Sequence, residues 1–336
     1  MMTSRERVRR AITFQHPDRV PRDLWVLPIA NATYPGAADA ILKDFPTDFG
    51  QPEYKPPAAS CVKGDWYTKG NYVDEWGCTF VSIQSGVVGE VKEPLVARWS
   101  DINKVRPPRE VLGKGMEKVN ESCAASDKFM SACCCPRPWE RMQFIRGSAN
   151  LYMDVMDQPK EFFTLRDVVH DYYVQELELW ARTDVDGMMF MDDWGTQFAL
   201  QIPPRLWRQL FKPLYKDYCD IARSHGKPIF MHTDGHVFEI YEDLIEIGVT
   251  AVNSQLFCMD VEEIGRRFKG RITFWGEIDR QHVLPAADAG LARRAVRRVA
   301  NALWDPAGGV IAQCEFGAAA RPESVRAVFD EWDKVG

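Results

Sequence analysis

The chain contains no apolar run approaching the roughly 20 residues that a bilayer span needs, and its opening Met1–Arg10 is charged with no apolar core behind it. Membrane insertion is therefore not expected, and a cytoplasmic location is. The nine cysteines are an odd number with no paired spacing, which argues for reduced thiols rather than a disulfide framework. Net charge is only −6, which gives no reason to expect nucleic acid or an anionic membrane as a partner. Neither common Gly-rich phosphate loop occurs, nor a Gly-x-Ser-x-Gly elbow, so nucleotide transfer and serine hydrolysis lack support.

What is present is a recurring pattern. Short apolar runs each end in polar residues: Met188–Phe190 before Asp192 and Asp193, Ile229–Met231 before His232 and Asp234, Ala251–Val252 before Asn253 and Gln255, Ile272–Phe274 before Glu277 and Asp279, and Val310–Ala312 before Gln313, Cys314 and Glu315. Segments with helical periodicity lie between them, so the order is strand, helix, strand, helix, and a parallel sheet with covered faces follows. The expected fold class is α/β, a (β/α)8 TIM barrel, whose reactive groups collect at the carboxyl ends of the strands. At 336 residues a single barrel domain over 1–336 is the default.

Earlier in the chain, Thr3–Glu6 reads as a capping box, and Arg22–Leu27 as the first strand. An aperiodic excursion rich in proline, alanine and glycine runs from Asn31 to about Lys63, and Tyr72–Val96 alternates like a β-hairpin; together 31–99 form an insertion within the barrel. Trp66, Tyr67, Tyr72 and Trp76 are read first as packing residues of that insertion, ahead of pocket walls. Phe129–Cys135 is a further strand, with Cys133–Cys135 as packing residues. Helices are expected over Lys160–Arg182, Arg205–Ser224 (kinked at Pro213), Val237–Ile247, Val261–Phe268, Ala289–Leu303 and Pro322–Lys334.

The two-residue period of a strand places His232 and Asp234 on one side of it. With Cys314 at another strand tip they form an imidazole, carboxylate and thiol set suited to zinc or a similar divalent ion, with one position open for substrate. Asp192 and Asp193 are candidate general bases or outer partners of the ion, and only one of the two should face the site. Glu277 is a third catalytic candidate. Arg137 is a candidate anion clamp, and Trp194, Gln197, Gln255, Trp275 and Glu315 are candidate substrate contacts.

These residues resemble the uroporphyrinogen decarboxylase superfamily. The likeness is carried by Ser4-Arg5-Glu6-Arg7, Asp18-Arg19-Val20-Pro21, Asp74-Glu75-Trp76-Gly77, Met191-Asp192-Asp193-Trp194-Gly195, His232–Gly235, and Gly308-Gly309 through Pro322-Glu323. It implies the (β/α)8 barrel and a homodimer. True decarboxylases carry an arginine-rich carboxylate grip after the first strand; here that place reads Trp25-Val26-Leu27-Pro28-Ile29-Ala30. The chain is therefore more similar to the corrinoid-linked methyltransferase and demethylase branch, which holds zinc with a His-x-Cys pair and a distant Cys.

His232 falls at that His, Cys314 at the distant Cys, and Asp234 where the second thiolate would stand. This exchange hardens the ligand set and admits manganese or iron beside zinc. The implied activity is metal-assisted transfer of a methyl group from a small O-, S- or N-methylated substrate to a corrinoid (cobalamin) protein. The alternatives are a decarboxylase or lyase on a small carboxylic acid, with Arg137 as clamp and Asp193 as proton donor, and a non-catalytic barrel that binds a small molecule.

Overall fold

The computed structural model describes residues 2–335. Thr3 accepts a hydrogen bond from the Glu6 amide at 3.1 Å and so caps α1 (Ser4–Ile12), as the capping-box pattern predicts. Eight parallel strands follow: β1 (Arg22–Val26), β2 (Phe49–Gly50), β3 (Phe129–Met130), β4 (Met188–Met191), β5 (Ile229–Thr233), β6 (Ala251–Ser254), β7 (Thr273–Trp275) and β8 (Val310–Phe316). Six of them pair continuously in the order β1-β8-β7-β6-β5-β4. The short β2 and β3 bridge the remaining gap through Asp48 N to Arg22 O (2.8 Å), Phe129 N to Asp48 O (2.9 Å), Asp186 N to Met130 O (2.7 Å) and Ala132 N to Gly187 O (3.0 Å). The ring closes as a TIM barrel, the fold that the strand–helix alternation predicts.

Two carboxylates hold the amino-terminal end of this ring. Asp48, fully buried, accepts from Ser4 Oγ and Arg7 Nη1 at 2.7 Å, from Arg19 Nη1 at 2.8 Å and from the Arg22 amide at 2.7 Å. Asp186 accepts from Arg5 Nε at 2.9 Å and Arg9 Nη2 at 2.8 Å. Arg5, Arg7 and Arg9 thus clamp α1 across the bottom, while Val8 and Ile12 enter the barrel interior with Phe129, Phe230, Trp275 and Ile311. A larger apolar layer lies outside the strands, against the helices.

The insertion after β2 carries a three-stranded antiparallel sheet, Gly70–Val73, Thr79–Ser82 and Glu90–Val91. Its Asp74 accepts from the Trp76 and Cys78 amides at 3.0 and 2.7 Å and from Arg141, a residue of α2 (Pro138–Arg146). The Arg141 guanidinium also lies 5.2 Å from the Trp76 ring, so the Asp74–Gly77 motif latches the insertion onto the barrel.

Three expectations shift. The strand drawn through Cys135 ends at Met130, the helix over Arg205–Ser224 divides into Pro204–Leu210 and Lys212–Ser224 beside Pro213, and the Asn31–Lys63 stretch holds a helix, Ala37–Asp44, and β2 itself. Among the described residues no helix is long and apolar enough to cross a membrane.

Removing the charge of Asp48 leaves buried arginines without their partner. Asp48→Asn is expected to cost about 3 kcal/mol, read as a lower urea midpoint with an unchanged slope; an unaltered midpoint would refute the seam's dependence on this carboxylate.

Candidate metal centre at the barrel mouth

Strand parity decides which tips meet. On β5, Phe230 faces the interior, so His232 does too; on β6, Ala251 faces inward and Asn253 follows it. The Asn253 amide nitrogen donates to the Trp275 carbonyl and to Gln313 Oε1 at 3.0 Å. A backbone carbonyl can only accept, so the amide oxygen of Asn253 is the atom left facing His232 Nδ1, at 2.6 Å. Nδ1 therefore carries a proton, and Nε2, on the far side of the ring from Asn253, is the nitrogen available to a ligand.

That nitrogen meets two carboxylates: Asp193 Oδ1 and Asp234 Oδ1 both lie 3.6 Å from His232 Nε2. One ligand atom from each of Asp193, His232 and Asp234 falls within 4.8 Å of the others, as in no other group of three or more His, Cys, Asp or Glu among the described residues. Asp234 Oδ1 is buried without a hydrogen-bond partner, an arrangement that costs free energy unless a cation or donor meets it. Its other oxygen pairs with Arg280. An imidazole nitrogen and two converging carboxylates, one of them with an unsatisfied buried oxygen, fit a divalent ion of intermediate to hard character.

The loops bearing these residues are laced together. Gly195 N donates to Asp234 O at 2.9 Å and His236 N to Thr196 O at 2.7 Å, while the Asp234 amide donates to Asp193 Oδ1 at 2.9 Å. Gly195 and Gly235 touch backbone to backbone, and a Cβ on either would overlap the other's chain; Gly235 also adopts φ +78°. The two sequence motifs Asp-Asp-Trp-Gly and His-Thr-Asp-Gly thus form one unit that sets the carboxylate separation.

The other predicted residues take different places. Cys314 does not join the group. Ile311 lies in the barrel interior and Gln313 bonds Asn253, so alternation turns Cys314 outward into the layer beneath the helices, where burial raises its thiol pKa. Asp193 stands in the third position instead. Asp192 also turns outward: it accepts from the Trp139 amide at 2.7 Å, the Glu140 amide at 2.8 Å and Tyr215 Oη at 2.5 Å. It is the acceptor at the start of α2; burial pushes it up to about 7 against those three donors.

Trp194 is fully buried and stacks on Trp139 at 4.9 Å, so it is core rather than a substrate contact. Gln255 accepts from the Gly235 amide at 3.0 Å and supports the turn. Glu277 and Glu315 surround Arg280, at 3.8 and 3.2 Å, and burial holds Glu277 well above the usual carboxyl range. Gln197 lines a depression over Glu277 and Arg280.

Four residues outside the predicted set matter here. Asn253 and Arg280 position the group, and Asp23 and Glu140 flank it. Asp23 lines a cavity of about 370 Å³ at the mouth with Trp25, Met191 and Trp275, and its Oδ2 accepts from the indoles of Trp25 (2.9 Å) and Trp275 (3.0 Å). A polar residue at an inward position of an apolar strand was the signal available for Asp23 and Asn253. Glu140 on α2 is pushed up to about 8 by burial and then by Asp193, with Arg137 opposing; Arg137 lies 3.9 Å from it. Both line a second cavity of about 630 Å³ that opens beneath the insertion and shares Met191 with the first.

The family model described as Uroporphyrinogen decarboxylase (URO-D) matches residues 73–335. The chain belongs to the uroporphyrinogen decarboxylase family. Among solved structures, this family member is similar to a methyltransferase from Methanosarcina mazei at 14% identity and TM-score 0.69, covering 99% of each chain; the likeness is one of fold. Fainter likenesses are to a GH5_18 protein from Streptomyces cattleya in complex with GlcNAc, at 11% identity and TM-score 0.46 over 94% of this chain and 81% of that one, and to 3-keto-D-glucoside 4-epimerase from E. coli, at 11% identity and TM-score 0.39 over 70% and 84%. No curated protein matches the sequence.

Burial raises the carboxyl of Asp23 from 3.8 to about 6. A raised folded-state pKa adds stability that is complete below pH 4 and is lost as pH rises through 6. Relative to wild type, Asp23→Asn should therefore gain about 3 kcal/mol between pH 4 and pH 7 and nothing further above it, measured as the difference in urea unfolding. A difference independent of pH would count against this titration.

Proposed function

We propose that this member of the family is a metal-assisted methyltransferase that passes the methyl group of a small O-, S- or N-methylated substrate to the corrinoid of a partner protein. The observation that carries the reading is the convergence of Asp193, His232 and Asp234, with an unpartnered buried Asp234 oxygen 3.6 Å from His232 Nε2. When bound there, a divalent ion supplies Lewis acidity that makes the methyl carbon of a coordinated heteroatom more electrophilic. Zinc is the first choice, and the absence of a thiolate from the group opens it to manganese or iron. Family membership and the fold shared with a methyltransferase support the assignment.

The chain's own residues divide the remaining work. Asn253 fixes the His232 tautomer, and Arg280 offsets part of the negative charge of Asp234 and Glu315. As the bond between heteroatom and methyl carbon breaks, the heteroatom keeps the electron pair, and the proton it then needs comes from Glu277, whose carboxyl pKa burial raises. The methyl carbon forms its new bond to the reduced cobalt of the partner. A second reading, decarboxylation of a small acid, draws support from Arg137 beside the protonated Glu140; it predicts carbon dioxide release with no corrinoid present.

Metal content of purified protein tests the first reading. His232→Ala and Asp193→Ala should lose the ion, Asn253→Ala should weaken it 10- to 100-fold, and Cys314→Ala should keep it while losing about 1 kcal/mol of stability. Retention in the first two with loss in the last would reverse the ligand assignment. Methylation of added reduced cobalamin by the loaded protein, absent in His232→Ala, is the activity expected.

A further inference from the structure

The cavity of about 630 Å³ beneath the insertion has a chemistry that the metal centre does not explain. Trp66, Tyr67, Tyr72 and Trp76 all line it, the second of the two roles that the sequence offers them. Trp66 and Tyr72 meet edge to face at 4.9 Å, leaving flat apolar wall toward the space. Tyr67 is 39% exposed, so this side of the cavity meets solvent.

At its inner end stands Arg137, which has the Cys135 thiol beside it but no carboxylate at hydrogen-bond length. Arg141 pairs through its two terminal nitrogens with Asp74 and Glu75, but the sole carboxylate within ion-pair reach of Arg137 among the described residues is Glu140, at 3.9 Å, beyond hydrogen-bond length. Glu140 Oε2 is itself buried without a partner. Glu176 also lines the space; burial, then Glu75, push it up to about 7. With Glu140 at about 8, neither acid fully cancels the arginine near neutral pH. A planar guanidinium that lines a cavity with no carboxylate within hydrogen-bond length is a receptor for a carboxylate.

Arg137 adjoins the metal centre. The Met191 amide donates to the Pro136 carbonyl at 3.1 Å, Met191 is paired in register with His232, and its side chain borders both cavities.

We infer that the cavity is the substrate pocket of the proposed methyltransferase and that it takes an aromatic acid, with the ring against the Trp66 and Tyr72 walls, the carboxylate on Arg137 and the methylated heteroatom at a neighbouring ring position. This rests on the functional reading above, which places the reacting atoms at Asp193, His232 and Asp234.

Binding separates the two claims. Tryptophan fluorescence titration of the purified protein with 2-methoxybenzoate should saturate, with methoxybenzene and methoxyacetate each at least tenfold weaker because one lacks the acid and the other the ring. Arg137→Gln should weaken 2-methoxybenzoate at least tenfold without changing methoxybenzene, and Arg137→Lys should recover part of the loss. Trp66→Ala should weaken both aromatic ligands. His232→Ala should bind 2-methoxybenzoate within twofold of wild type. No saturation by 2-methoxybenzoate, or equal affinity in Arg137→Gln, overturns the pocket assignment. Arg137-dependent binding with no methyl transfer to added cobalamin leaves the pocket standing and removes the methyltransferase reading.

Discussion

The barrel depends on a buried charge at its weakest seam. β2 contributes only Phe49 and Gly50, too little ladder to hold a strand by backbone bonds, and Asp48 beside it carries the junction through Ser4, Arg7, Arg19 and the Arg22 amide. Taking a carboxylate out of water is unfavourable by several kcal/mol and becomes tolerable only when its lone pairs are filled. The seam also explains the direction of α1, whose arginines alternate between Asp48 and Asp186 while Val8 and Ile12 fill the interior below them. With the ring closed, the strand tips at the opposite end converge.

At that opposite end the balance of charge is reversed. Asp193, Asp234, Glu277 and Glu315 crowd a small volume around the single cation Arg280. The responses differ by position. Burial raises the carboxyl pKa of Glu277, one oxygen of Asp234 pairs with Arg280 while the other has no partner, and Asp193 shares its Oδ1 with the Asp234 amide. A residual negative surplus pressed against an imidazole lone pair favours a divalent cation over a monovalent one, since the attraction scales with the ion's charge.

Much of this was legible in the sequence, and the failures have physical causes. β4, β5, β6 and β8 are apolar runs with polar tips, and the parity of His232 and Asp234 on β5 reads directly because both residues are polar. β8 defeats the same reasoning: a parallel strand covered on both faces is apolar throughout, so Val310, Ile311 and Ala312 give no sign of which side is inward. Cys314 was therefore placed in the mouth when its side chain faces the helices. β2 was invisible because two residues carry no period. Arg280 and Glu140 lie in a loop and on a helix, where only the folded chain reveals what they approach.

The contact between Gly195 and Gly235 has a bearing on how tightly an ion is held. Because the two loops share hydrogen bonds and have no side chain between them, they fluctuate as one body, and the distance from Asp193 to Asp234 changes little when either loop moves. Capture of an ion then requires small structural reorganisation and forfeits little chain entropy. A bulkier residue at either position would loosen this coupling, so that affinity would fall even with every ligand atom intact.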